Sequence, residues 1–144
     1  MRKWLVPGIV AAVLLMGAAA FGYRTFKQSR PAPYWVVITL QAPSGDEQLK
    51  AIEKACREQV TGDAVILPVV RECDLAREWK LADENAAAAE LRRRAFVQLG
   101  RTGELKVGVH GTRKEARTSE AVAKGLGRKF MERMRQAKAA PASE

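Results

Sequence analysis

His110 is the only histidine in the chain, and it stands between Gly108 and Gly111 at the end of an alternating apolar stretch, a place where functional residues are often presented. An imidazole there has the chemistry of a general base or a ligand. No serine or cysteine nucleophile shares a motif with it, and one imidazole holds no metal alone, so the plainer reading is a histidine on a sheet surface. Directly after it, Gly111-Thr112-Arg113-Lys114 leads into a helical stretch. Backbone N–H groups at such a start, with Arg113 and Lys114 beside them, suit a phosphate or carboxylate. The glycine spacing and the lack of a Lys-Ser/Thr pair separate it from a P-loop, and Thr112 serves equally as a helix cap.

Arg92-Arg93-Arg94 is a second basic group. Three consecutive helical residues cover most of a turn, so at least one faces solvent. An acidic patch on a partner is the functional alternative to a solvated face. Cys56 and Cys73 fit neither a CxxC redox motif nor a zinc set. In an oxidising compartment they pair into a disulfide closing a loop of about 18 residues, worth about 3 kcal/mol in the entropic model. In a reducing one they are buried thiols. The carboxylates from Asp46 to Glu104 are scattered, and Glu53 with Arg57 reads as an ordinary surface pair. No two form an acid/base couple. The chain therefore implies no catalytic set, no cofactor and no metal. Its candidate binding residues are His110, Arg92, Arg93, Arg94, Arg113 and Lys114.

The elements that must position these residues begin with an apolar run. Trp4 to Tyr23 is 20 residues without a charge, flanked by Arg2-Lys3 and by Arg24, Lys27 and Arg30. At about 1.5 Å per helical residue it spans roughly 30 Å, the thickness of a bilayer's hydrocarbon core. A cleaved signal peptide is the rival reading, with Ala18-Ala19-Ala20 as its small-residue site. The run's continuation through Phe21 to Tyr23, its aromatic ends at Trp4 and Tyr23, and the basic residues beyond favour a retained membrane anchor over residues 1–23. Basic charges on the two sides nearly balance. A short basic N-terminus before an anchor usually stays cytoplasmic, which places the rest of the chain in the periplasm.

A basic, proline-ended linker is expected over 24–33, a single domain over 34–138 and a disordered tail over 139–144. The net charge of the whole chain is +9, but residues 31–144 hold 20 basic and 16 acidic side chains. Nine basic and three acidic residues fall between Thr112 and Lys138, so the excess is concentrated in the last helix. That helix offers acidic headgroups or a protein partner a surface. Its one aromatic, Phe130, lies in the apolar stripe, which disfavours nucleic acid.

Tyr34 to Gln41 reads as a strand closed by Pro43, and Ser44 with Glu47 as a capping box for a helix through Val60. Asp63 to Arg71, DAVILPVVR, reads as an edge strand containing Pro68. A helix follows from Asp74 to Leu99 with a break at Asp83 to Asn85. Glu104 to His110 alternates as a half-buried strand, and Arg113 to Lys138 is helical, with Val122, Leu126, Phe130 and Met134 four residues apart. The order β-α-β-α-β-α predicts an α/β or α+β domain on a three-stranded sheet.

In part this resembles the peptidoglycan-binding SPOR domains, in which two strand–helix units follow a membrane anchor. YWVVITLQ and LKVGVHGTRKEA take the places of their opening strands, which would imply peptidoglycan as a ligand. The Asp74 to Leu99 helix and the short linker depart from that pattern, and membership does not follow. The reading reached from sequence is a membrane-anchored bacterial envelope protein whose periplasmic domain docks onto envelope protein partners. It would be a non-enzymatic component of a secretion, conjugation, pilus or division machine. The alternatives are a module binding peptidoglycan or an anion, and an enzyme using His110.

Overall fold

The computed structural model describes residues 5–41 and 44–140, with side chains from Ala12 onward. The chain is a mixed α+β fold. Helix α1 (Leu5–Ser29) leads into strand β1 (Pro31–Thr39). Four helices follow: α2 (Asp46–Val60), α3 (Asp63–Glu72), the single turn α4 (Leu75–Glu78) and α5 (Glu84–Arg94). Strands β2 (Ala95–Leu99) and β3 (Glu104–Thr112) form a hairpin, a 3-10 turn spans Arg113–Glu115, and α6 (Ala116–Ala139) ends the fold. The sheet is antiparallel throughout, in the order β1-β3-β2. Tail residues 141–144 lie outside the described residues, as do Trp4 and Pro43.

The alternation of apolar residues divides the sheet into two faces. Tyr34, Val36 and Ile38 of β1, Val97 and Leu99 of β2, and Leu105, Val107 and Val109 of β3 point inward, joining one core. Leu126 and Phe130 of α6 complete it from the helical side. Helix α6 lies on β1 and β3, and α3 packs against α5 and α6. Gly127 permits the close approach of α6, because a Cβ there would collide with Val36. The opposite sheet face carries Trp35, Val37, Phe96, Gln98, Lys106 and His110, and among the described residues no helix covers it.

Four expectations are corrected. Asp63 to Arg71 is helix α3, not a strand: Val65, Ile66, Val69 and Val70 are buried at helical spacing. Pro68 is tolerated because the carbonyl it leaves free belongs to Ala64, in the exposed first turn. The helix expected through Leu99 stops at Arg94, where Ala95 takes extended geometry (ψ 143°) and opens β2. The domain therefore runs β-α-α-α-α-β-β-α, still with three strands. The stretch expected as a linker, 24–33, is regular structure: α1 continues to Ser29, and Pro31 and Pro33 belong to β1. Finally, α2 is capped without a Ser44–Glu47 box. Its N-cap is Gly45, and the Ser44 N–H donates to Gln48 Oε1 at 2.9 Å.

The hydrogen-bond phase of the sheet follows from its ends. Gly100 N–H donates to the Glu104 carbonyl at 2.9 Å, and Leu40 N–H to the Gly103 carbonyl at 2.8 Å. Bonded pairs recur every second residue, so even-numbered residues of β3 bond to β2 and odd-numbered ones to β1. On β1, the even-numbered residues face β3. Pro31, Pro33, Trp35, Val37 and Thr39 point their backbone groups off the sheet. Both prolines thus occupy positions where the missing N–H removes no ladder bond. The other edge is sealed. Arg57 Nη2 donates to the outward carbonyl of Val97 at 3.3 Å, and the outward N–H of Leu99 donates to Glu53 Oε2 at 3.1 Å.

Among the residues described with side chains, no helix is long and apolar enough to cross a membrane. Leu5 to Ala11, the first part of the apolar run, precede those side chains.

Candidate binding surface

The open sheet face is a shallow groove of about 590 Å³ lined by Trp35, Phe96, Gln98, Lys106, His110 and Arg57, among others. Gly108 forms its floor between Trp35 on β1 and Phe96 on β2, its two cross-strand partners. A Cβ at 108 would come within 2.8 Å of both Cα and Cβ of Trp35, so only glycine fits this crossing. Lys106 Nζ lies 5.4 Å from the centre of the Trp35 ring, and the His110 ring sits 4.7 Å from Phe96. Two aromatic rings, one with the Lys106 ammonium over it, suit a ligand that combines flat or apolar surface with negative charge. His110 packs on an aromatic ring and has no hydrogen-bonded acid or nucleophile among the described residues, an arrangement without a catalytic partner.

The arginine cluster is occupied by its own chain. Arg92 donates to the Thr61 carbonyl at 3.0 Å and pairs with Asp63. Arg93 grips Glu90 through two bonds of 2.9 and 2.6 Å. Arg94 bonds Glu90 at 2.6 Å and Glu115 at 3.2 Å, and lies over the Trp79 ring at 4.5 Å. Hydrogen bonds from Arg93 and Arg94 hold the Glu90 carboxyl down at about 2, against the opposing effect of burial. Glu72 is likewise lowered, chiefly by its hydrogen bond from Lys129. Arg94 thus ties α5 to the chain entering α6, while Arg92 ties it to the junction of α2 and α3.

Arg113 and Lys114 project from the 3-10 turn, both exposed. Thr112 does act as the cap: its N–H and hydroxyl each donate to Glu115 Oε2 at 3.1 Å. Arg113 and Lys114 do not line the groove around His110, although His110, Arg93, Arg94, Gly111 and Thr112 share a separate cavity of about 290 Å³. The structure brings the turn instead to α1, which touches residues 113–115.

Cys56 and Cys73 are free thiols, so the expected crosslink is absent. Cys56 is buried in the core at the end of α2 and Cys73 is half-buried after α3. Burial raises both thiol pKa values, with nearby Glu53 and Glu72 adding to the effect. Among the described residues, no three histidine, cysteine or acidic side chains are grouped as a metal site.

Sequence reasoning took Glu53 and Arg57 for a surface pair. Their i,i+4 spacing was legible, but their reach to the edge of β2 was not, because β2 itself read as helix. The Trp35–Gly108–Phe96 crossing was hidden for the same reason. No protein-family model, curated protein or solved structure matches this chain.

Proposed function

We propose that this chain is a single-pass bacterial envelope protein, anchored in the inner membrane by α1, whose periplasmic domain docks onto other envelope proteins. It would act as a non-enzymatic accessory or assembly component of a secretion, conjugation, pilus or division machine. The observation that carries the anchoring is the surface of α1. Its side chains Val13, Leu14, Leu15, Met16 and Phe21 are 59–72 % exposed, without a packed stripe against the domain. A helix apolar on all sides needs an apolar surrounding on all sides, and at 25 residues α1 is about 37 Å long.

Docking is supported by the open edge of β1. Trp35, Val37 and Thr39 turn their backbone groups outward, and Trp35 and Val37 stay 45 % and 53 % exposed. Unpaired strand groups beside exposed apolar side chains match an extended segment of a partner protein, which adds as a further strand.

Two measurements in cells test this. Alkaline extraction combined with a reporter fused after Glu144 should give a membrane-retained protein with a periplasmic reporter; release into the soluble fraction would refute the anchor. A photo-crosslinking residue at Val37 should give a discrete adduct that one at exposed Lys54 on α2 does not. The same adduct at both sites, or none at Val37, removes the docking surface.

The aromatic groove on the open face favours a second reading, an envelope-polymer-binding module. Sedimentation with purified cell wall, lost on Trp35→Ala, would select it over protein docking.

A further inference from the structure

Two basic stretches far apart in sequence, 24–30 and 113–114, are brought together in this fold. Pro31, two residues beyond α1, pairs with Thr112, which immediately precedes the 3-10 turn. The C-terminal end of α1 therefore meets that turn, in agreement with the contact between them. Arg24, Lys27 and Arg30 come from the α1 side, and Arg113 and Lys114 from the turn. All five are exposed. None takes part in an ion pair among the described residues, whereas nine other cations of the domain do. The turn's one acid, Glu115, is spent on Thr112 and Arg94. Tyr23 directly precedes the collar and Phe26 lies within it, its ring 4.9 Å from the Arg30 guanidinium; the two are 67 % and 60 % exposed. The apolar helix therefore ends in aromatic rings interleaved with positive charge, the side-chain types that settle at headgroup level.

We propose that these five residues form a collar binding the phosphate headgroups of anionic phospholipids in the leaflet where α1 leaves the membrane. The proposal rests on the anchored reading of α1. Its new content is that Arg113 and Lys114, on the folded domain, share the headgroups with the helix and so seat the domain on the bilayer surface. Charge complementarity selects the ligand: five uncompensated cations lie where an anchored helix would meet headgroups. Each is worth about fivefold in affinity at an anionic surface.

The test uses the full chain purified in non-ionic detergent and titrated with phosphatidylglycerol or phosphatidylcholine, with retained lipids counted by native mass spectrometry. The wild type should keep phosphatidylglycerol at least about fivefold better than phosphatidylcholine. Arg113→Ala with Lys114→Ala should remove most of that preference. Equal retention of the two lipids overturns the collar. So does a preference unchanged in the double variant, which would assign the headgroups to α1 alone. Displacement by equimolar inorganic phosphate would make the site one for free anions and also overturns it. Failure of the anchor itself looks different: the protein would stay monodisperse without detergent and float with no vesicle.

Discussion

At the scale of single residues, Gly108 and Glu90 show how locally the fold is specified. Gly108 sits where two aromatic neighbours cross, and the space a methyl group would need is taken by the Tyr34 carbonyl oxygen and by Trp35. Gly108→Ala should cost about 1–3 kcal/mol and lower the melting temperature by at least about 4 °C. Gly22→Ala, inside α1 with open space around its Cβ, is the control expected to leave the domain's melting close to wild type. Glu90 makes stability depend on acid. Its folded pKa of about 2 lies below the ordinary 4.5, so its stabilisation is complete above about pH 4.5 and fades as pH falls toward 2. Urea unfolding at pH 7 and pH 3 should show Glu90→Gln clearly weaker than wild type at the higher pH, with the gap narrowed at the lower. The thiols make a third prediction. Both should react slowly in the native protein and quickly in urea, with equal labelling before and after reduction.

At the scale of elements, the sheet edges set the next prediction. Val36 spends its N–H on β3, while Val37 points its N–H off the sheet. Val36→Pro should therefore cost roughly 1–3 kcal/mol more than Val37→Pro, as thermal unfolding of the two variants would show. Equal losses would mean that the phase of β1 is wrong. Strand β1, helix α2, strand β3 and helix α6 were legible because periodicity and tertiary role agree in them. In β3, the alternation of Leu105, Val107 and Val109 is the burial pattern itself. Helix α3 was illegible because Val65, Ile66, Val69 and Val70 are β-branched and the segment holds a proline, both local marks of a strand. Burial against α5 and α6 overrode that preference. The segment Ala95 to Leu99 deceived in the opposite way, since Leu91, Ala95 and Leu99 continue a four-residue spacing across a real boundary. The candidate surface suffered accordingly. His110, Arg113 and Lys114 were visible as residues, but what faces them depends on β2 and on the end of α1.

At the scale of the whole molecule, the helix and the sheet are joined without slack. Only Arg30 separates the last residue of α1 from the first of β1. An α-helix turns about 100° per residue, so α1 fixes the compass bearing of the domain about its own axis as well as its height. One alanine inserted after Tyr23 would rotate the domain by about 100° relative to the preceding helix, and two by about 200°. Four would bring it to within about 40° of its starting bearing, displaced by roughly 6 Å. Adduct formation from Val37 in cells should then fall with one or two inserted residues and recover with four. A steady decline with length would show that bearing is immaterial. With so direct a junction, α1 works as an indexed shaft, and the direction in which the open edge of β1 faces is written into the length of the helix.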